Sequence, residues 1–297
     1  MDILFTGSSG FVGKNIIDKF KIDNNVYTLS RHDAFYNIDL TQTVPIIQHK
    51  YDLVIHAAGV AHLMSNSSLV NQFIYDSNII ATRNLLKSFN DNYIPSNFIF
   101  LSSVAVYGEE EGYMINELND LRGKTSYARS KIECENIIIN WCKINNVTCT
   151  ILRLPLLIGP NPKGNLGALI KSIRMNTYFN VSGNKAKKSM LHVYDIYNFI
   201  KLSYSEGGIY NLTDGVDPSI IDFTNRLALI LGKKKIINIP YTLIKFASRI
   251  GDNFGSNFFI NSFKLNKLTT SLTFSNYKAI STFNWEPISS MDNLEII

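Results

Sequence analysis

The sequence predicts an α/β protein: a doubly wound parallel sheet followed by a smaller C-terminal α/β domain. Three observations carry that prediction. Over the first half, short apolar runs alternate with helix-like stretches of roughly 10–20 residues, as parallel strands joined by crossovers do. A glycine-spaced loop joins the first of those runs to the first helix. Past residue 160 the rhythm gives way to a loop of Pro, Gly and Asn. The domain boundary is placed there, giving 1–160 and 161–297, with residues 190–212 expected to pack back onto the first domain.

Composition permits this fold and excludes much else. The 297 residues are 45% hydrophobic and 18% charged, too much apolar side chain for disorder to be the main state. With 17 Gly and 3 Cys, neither a collagen-like chain nor a disulfide framework fits. No apolar run approaches the roughly 18 residues of a membrane span. Met1 leads straight into a strand, so no signal peptide is expected. Cys134, Cys142 and Cys149 form no CxxC and are odd in number, which suits a reducing, cytoplasmic setting. The net charge is +5, from 29 Lys+Arg against 24 Asp+Glu. The densest basic runs, Lys185 to Lys188 and Lys233 to Lys235, are short. They read as solvated loops, or as a pocket for a phosphorylated metabolite, rather than as a nucleic-acid face.

Ile3–Phe5 is the first strand. Thr6-Gly7-Ser8-Ser9-Gly10-Phe11-Val12-Gly13 follows it and opens the helix Val12–Lys21, with Gly-x2-Gly-x2-Gly spacing. Gly7 suits the tight turn, Gly10 admits a pyrophosphate to the backbone, and Gly13 lets the helix pack closely. The first-turn N–H groups and the helix dipole favour that anion. Between a strand and an amphipathic helix, such a loop marks a Rossmann-like dinucleotide-binding domain. The second strand, Val26–Leu29, ends at Ser30-Arg31-His32, where NAD binders place a carboxylate for the adenosine ribose. A hydroxyl and a guanidinium suit a 2′-phosphate instead, so NADP, reduced as NADPH, is the expected cofactor. Asp33 stays open as a ribose acid if the strand ends later.

Leu53–His56 is the next strand and Asn71–Asn90 the next helix. Phe98–Leu101 then leads into Ser102 and Ser103, a hydroxyl pair at a strand end. Ser126-Tyr127-Ala128-Arg129-Ser130-Lys131 opens the helix Tyr127–Ile144, and its Tyr and Lys, four apart, share one face. A phenol with a reference pKa of about 10 is a poor acid or base at neutral pH. A neighbouring ammonium and a positive nicotinamide ring both favour the phenolate and lower that value. Ser103, Tyr127 and Lys131 are therefore the candidate catalytic residues. Cys149–Leu152 is the fifth strand. Beyond the loop Gly159–Asn165 come a helix Leu166–Met175, a strand Met190–Val193, a helix Ile196–Tyr204 and a strand Tyr210–Leu212. The five histidines show no ligand spacing, so no metal is expected; His192 and Asp195 read as a capping or packing pair. Leu85, Leu86, Phe89, Ile137, Ile138, Trp141 and the nearby Cys134 and Cys142 serve either core or dimer surface. The aromatic stretch from Phe254 to Phe274 reads as core and lid.

With these residues in place, the chain resembles the extended short-chain dehydrogenase/reductases, the NAD(P)-dependent nucleotide-sugar epimerase/dehydratase family, over nearly its whole length. Thr6–Gly13 resembles the family's glycine loop, with Ser9, Phe11 and Val12 among the implied cofactor contacts. Asp39-Leu40 is similar to its adenine-contacting pair, His56-Ala57-Ala58-Gly59 to the segment bordering the cofactor, and Asn78 to its helix asparagine. Ser103, Tyr127 and Lys131 fall on the catalytic positions. Arg153 to Pro160 resembles the stretch whose Pro155 and following backbone hold the nicotinamide amide. Phe283-Asn284-Trp285-Glu286-Pro287 resembles the closing Gly-Trp-x-Pro, with Asn284 in place of Gly.

Val104 and Ala105 stand where family dehydratases carry an Asp-Glu pair, so the resemblance implies redox at one carbon rather than dehydration. Gly59-Val60-Ala61-His62-Leu63-Met64 resembles a segment of bacterial polysaccharide-pathway members that reduce UDP-4-keto-6-deoxy-N-acetylglucosamine. Their products are UDP-N-acetylfucosamine or UDP-N-acetylquinovosamine. His62, Ser103, Val104, Asn165 and Lys188 are the implied substrate contacts, with a plain loop histidine as the alternative for His62. Lys188 stands where that group has Arg, keeping the charge but losing the bidentate fork. The resemblance thus implies an NADPH-dependent 4-ketoreductase of capsule or O-antigen pathways. Its substrate is a UDP-sugar, it is a homodimer, and no nucleic acid or membrane is a partner. A UDP-hexose 4-epimerase using NAD on the same site stays open, as does a non-catalytic NADP(H)-binding sensor or scaffold.

Overall fold

The computed structural model describes residues 1–60, 67–233, 235–254 and 260–294. β1 (Asp2–Thr6) leads through the glycine loop to α1 (Phe11–Lys21), β2 (Asn25–Ser30) and the short β3 (Tyr36–Asn37). Then come β4 (Leu53–His56), α2 (Ser68–Lys87), β5 (Asn97–Ser103), β6 (Gly112–Ile115), α3 (Ser126–Ile144) and β7 (Thr148–Leu154). The C-terminal half begins with β8 (Leu156–Ile158), α4 (Gly164–Arg174), β9 (Phe179–Val181), β10 (Met190–His192), α5 (Val193–Ser203) and β11 (Gly208–Asn211). It closes with α6 (Ile220–Ile230), β12 (Ile237–Ile239), α7 (Tyr241–Gly251), α8 (Ser262–Thr269), β13 (Leu272–Phe274) and α9 (Tyr277–Phe283).

Seven strands form one parallel sheet in the order β11-β7-β5-β4-β1-β2-β3. The chain winds outward from β1 to β3, then crosses back to β4 on the other side of β1. That reversal makes a switch point between β1 and β4, where such sheets open a ligand crevice. Successive residues of β1 explain why its sequence is unbroken apolar. Ile3 and Phe5 pack with Ile16 and Phe20 of α1 and Ile196 and Phe199 of α5 on one face. Leu4 packs on the other face with Leu85 and Leu86 of α2 and Ile138 of α3. Helices cover both faces, so both faces must be apolar.

Against the sequence-based elements, the five expected strands of the first half all lie in this sheet, each within its observed span. β11 pairs with β7 at the edge and α5 packs on the α1 face. Met190–His192 pairs instead with β8, outside the main sheet. Helix ends differ by a few residues; at α5 the reason is a cap, because the His192 side chain accepts from Tyr194 N and α5 begins at Val193, not at Ile196. Leu85, Leu86, Phe89 and Ile138 are buried in the core, as are Cys134 and Cys142. The outward apolar residues of these two helices are others: Leu69, Phe73, Ile80, Ile139 and Ile144. The aromatic stretch divides. Phe274 is buried, whereas Phe254 and Phe263 are exposed. Asn284 ends α9 in the left-handed region (φ +49°), which Asn tolerates better than most residues. That is why it can stand where Gly is usual.

His56 closes β4 inside the core. Its ring lies between the hydroxyls of Thr6 (2.8 Å) and Thr82 (3.0 Å) and stacks on Phe100. Burial, aided by the charge of Lys131, pulls its pKa down to about 3. The unfolded chain takes up that proton at about 6.5, so this group's stabilisation is complete above that pH and is lost as pH falls toward 3. The melting temperature of the wild type is therefore expected to drop more steeply between pH 7 and pH 4 than that of His56→Gln. Parallel pH profiles for the two chains would remove His56 as the cause.

Candidate active site

A cleft of about 370 Å³ opens at the carboxyl edge of the sheet, beside the switch point. It gathers most of the residues singled out in the sequence: Gly7, Gly10, Phe11, Val12 and Gly13 from the first loop, Ala57 and Gly59 after β4, and Ser103 at the end of β5. Tyr127 and Lys131 enter from α3, Pro155 follows β7, and Asn165 belongs to α4. These positions span the first 165 residues. Only the doubly wound topology brings them to one edge.

The glycine loop is as tight as its sequence suggests. Gly7 has φ +76°, and a Cβ there would lie 2.6 Å from Ala58 N. A Cβ on Gly13 would lie 2.5 Å from the Ser8 carbonyl oxygen. α1 starts at the cleft without a side-chain cap and with no acid in its first turn. Its open N–H groups and positive end thus remain for an anion, and in the same loop the buried Ser8 hydroxyl has no partner. The loop fits a dinucleotide pyrophosphate.

Ser103 presents its hydroxyl to the phenol of Tyr127. Thr125 caps α3 by accepting from Ala128 N (3.1 Å), which sets where Tyr127 leaves the helix. Burial raises the Tyr127 pKa, more than the Ser103 hydroxyl lowers it. This departs from the sequence expectation of a phenol depressed by Lys131. The reason is geometric: Lys131 Nζ donates to the Leu101 carbonyl (2.8 Å) and lies 4.4 Å from the centre of the Phe100 ring, but 6.0 Å from that of Tyr127. Burial lowers the pKa of Lys131 itself. The phenol is held in its protonated, acidic form.

Beneath these residues lies a buried polar chain. Glu135, one turn past Lys131, receives the guanidinium of Arg153 on both oxygens (Nη2 to Oε2 2.8 Å, Nε to Oε1 3.2 Å). The Ser102 hydroxyl donates to the same carboxylate. Arg153 Nη1 also donates to the Tyr107 hydroxyl (3.0 Å), which donates to Asn211 Oδ1 (2.7 Å). One network therefore ties β5, α3, β7 and β11 together, joining β5 at Ser102, next to Ser103, and α3 at Glu135. The sequence reading missed it as a unit, although Lys131-x3-Glu135 puts an acid on the face that Tyr127 shares.

The remaining expected residues lie around the cleft in varied roles. Asn78 is fully engaged: its amide accepts from Val60 N (2.7 Å) and donates to Val60 O (3.2 Å) and to Ser130 Oγ (2.8 Å). It braces the loop after β4 against α3. Ala58 N donates to Thr6 Oγ1, and Val104 stands half-buried in the turn after Ser103. Ser9 and Arg31 are exposed. β2 ends at Ser30, whose hydroxyl donates to the His32 carbonyl, and Asp33 lies beyond it in a left-handed turn. Asp39 accepts from the amide (2.9 Å) and hydroxyl (2.7 Å) of Thr41, which lower its pKa with help from the charge of Arg31. Leu40 packs in the core. Lys188 is partly buried, with a pKa lowered by burial and by the charge of Lys267. His62 lies outside the described residues. Among those residues no group of three His, Cys, Asp or Glu side chains could hold a metal ion.

The chain matches the NAD dependent epimerase/dehydratase family over residues 3–212. N-acetyl-α-D-glucosaminyl-diphospho-ditrans,octacis-undecaprenol 4-epimerase of Escherichia coli O157:H7 is 27% identical over 263 residues, 82% of this chain and 76% of the relative. UDP-glucose 4-epimerase of Vibrio cholerae is 26% identical over 252 residues, 78% of this chain and 76% of the relative. The NADPH complex of RMD from Pseudomonas aeruginosa superposes with a TM-score of 0.75 at 19% identity, covering 99% of this chain and 96% of the other. That superposition speaks for the Rossmann-like α/β fold.

Proposed function

The chain belongs to the NAD dependent epimerase/dehydratase family, and on that footing we propose that it is an NADPH-dependent reductase of a sugar C4 ketone. The substrate in this reading is a UDP-4-keto-6-deoxy-hexosamine, and the product UDP-N-acetylfucosamine or UDP-N-acetylquinovosamine for a surface polysaccharide. The observation that carries it is Tyr127 facing Ser103 in the cleft, its pKa raised by burial, with Val104 and Ala105, which cannot move a proton, following Ser103 in the chain. A bound nicotinamide dinucleotide supplies the two-electron chemistry.

The chain's own residues have separable tasks in this reaction. The glycine loop and the start of α1 hold the pyrophosphate, and Arg31 holds the 2′-phosphate, since the Ser30 hydroxyl gives its one proton to the His32 carbonyl. Tyr127 gives its proton to the ketone oxygen, and Ser103 hydrogen-bonds that oxygen as charge develops on it. Lys131, which lines the same cleft but is held by the Leu101 carbonyl, would meet the nicotinamide ribose rather than the phenol. Asn165, Val104, His62 and Lys188 meet the substrate, with Lys188 on its diphosphate. The division near residue 160 into dinucleotide-binding and substrate-binding domains belongs to the same reading. So does a homodimer across α2 and α3, for which Phe73, Ile80 and Ile139 are the outward apolar residues.

A second reading, sugar 4-epimerisation with a retained cofactor, is favoured by the two 4-epimerases that align over about four-fifths of the chain. One experiment separates them. Purified protein is mixed with NADPH or NADH and UDP-4-keto-6-deoxy-N-acetylglucosamine freshly made by a dehydratase, and reduced-nicotinamide absorbance is followed. The reductase consumes NADPH stoichiometrically and faster than NADH. In a parallel mixture with NAD and UDP-glucose, interconversion to the C4 epimer with no net consumption of cofactor assigns the epimerase instead, and turnover of either kind excludes a mere sensor. In the Arg31→Ala chain the NADPH/NADH ratio of kcat/KM is expected to fall about 10-fold or more, the value of a charge-assisted hydrogen bond. An unchanged ratio removes Arg31 from the 2′-phosphate site.

A further inference from the structure

Among the described residues, α7 packs against the protein through only one of its two apolar sides. Ile244 packs inward with Val181, Ile260 and Leu265. On the outward side Leu243, Phe246 and Ile250 are 61%, 68% and 46% exposed, and their i, i+3, i+7 spacing makes them one stripe. Phe254, just past the helix, and Phe263, on the neighbouring α8, are 66% and 51% exposed. Single exposed apolar residues are ordinary, but a stripe with two phenyl rings beside it marks an interaction surface.

Basic side chains accompany this surface on α7 and α8. From Tyr241 to Lys267 the chain holds four Lys and Arg, Lys245, Arg249, Lys264 and Lys267, and one acid, Asp252. Lys245 and Arg249 are exposed on α7, one turn apart, and border the stripe. Asp252, the lone acid, accepts from the amide (2.8 Å) and hydroxyl of Ser262. Lys264 and Lys267 lie on α8, with Lys267 Nζ 4.3 Å from the centre of the Phe263 ring.

A second copy of this chain, itself basic here, would meet like charge. A nucleic acid would leave Leu243, Phe246 and Ile250 without a partner. An apolar stripe bordered by cations is what an anionic lipid surface accepts, with the rings in the acyl boundary and the lysines at the headgroups. We propose that α7, together with Phe254 and Phe263, docks this protein peripherally on an anionic phospholipid membrane. Among the described residues no helix is long and apolar enough to cross a membrane, so the contact lies in the interfacial plane. The inference rests on this surface and not on the reductase reading.

The test uses the full chain and vesicles of phosphatidylcholine alone or with about one third phosphatidylglycerol. Co-sedimentation is expected with the mixed vesicles, little with phosphatidylcholine, and less in about 1 M salt, where charges are screened within roughly 3 Å. The double variant Leu243→Ser, Phe246→Ser is expected to lower the partition coefficient about 10-fold or more. Lys245→Glu, Arg249→Glu should do the same. All four side chains are exposed, so melting temperatures should stay at the wild-type value. Failure to bind the mixed vesicles, or binding unchanged in both variants, overturns the proposal. It is also overturned if the wild type is a dimer that Leu243→Ser, Phe246→Ser dissociates without any vesicle binding, which assigns the face to a second copy.

Discussion

Replacing Tyr127 by Phe lowers the turnover of ketone reduction by about 10²–10⁴-fold, the range lost with a positioned acid or base. The phenol is the proton source nearest Ser103, and burial keeps it protonated. Phe retains the ring but offers the developing oxyanion no proton. Substrate affinity should change little, because the ring packing survives and only a transition-state interaction is lost. The same burial sets the pH dependence. In the reductive direction kcat/KM should be flat through neutral pH and fall only above the ordinary range of a phenol, where the acid is lost. Single-turnover rates of wild type and Tyr127→Phe across that range check both statements; a variant with wild-type rates would take Tyr127 out of the chemistry.

Replacing Arg153 by Met destabilises the fold by about 3–5 kcal/mol, as is typical when one partner of a buried ion pair is removed. Glu135 and Arg153 are both almost fully buried, so the substitution strands a carboxylate whose remaining donor is the Ser102 hydroxyl. It also takes a donor from Tyr107. The companion double variant Glu135→Leu, Arg153→Met should recover much of that loss, since apolar replacements of buried ion pairs are often near neutral. Urea unfolding of the three chains measures this. Equal destabilisation by the single and double variants would mean that packing, rather than the stranded charge, sets the cost.

The central strands are readable in the sequence because burial on both faces leaves continuous apolar runs such as Ile3–Phe5 and Phe98–Leu101. The loop Gly7–Gly13 is readable for a different reason: a positive φ and close backbone approaches admit little but glycine. The short strands β6, β8, β9, β12 and β13, of three or four residues, carry too few residues for a period to register. They also pair in separate two-stranded sheets. The Glu135–Arg153 network escapes because its partners come from distant segments, and no local pattern distinguishes a buried acid from a solvated one. The role of Lys131 was half-readable. Its place beside Tyr127 follows from helical spacing, but the Leu101 carbonyl that captures it belongs to β5 and is invisible along α3.

The edge of the main sheet has a consequence for synthesis. β7 ends at Leu154, but the strand that covers its free edge, β11, begins only at Gly208. A ribosome adds roughly 5–20 residues per second, so for seconds each new chain carries an almost complete parallel sheet with the seven-residue edge of β7 unpaired. Such an edge is a template for joining another chain, and the Arg153–Tyr107–Asn211 hydrogen bonds cannot close until Asn211 arrives. Chains cut near residue 160 would be caught permanently in that state. They should appear in the insoluble fraction of an expressing cell, while chains extended past β11 and its successors escape it.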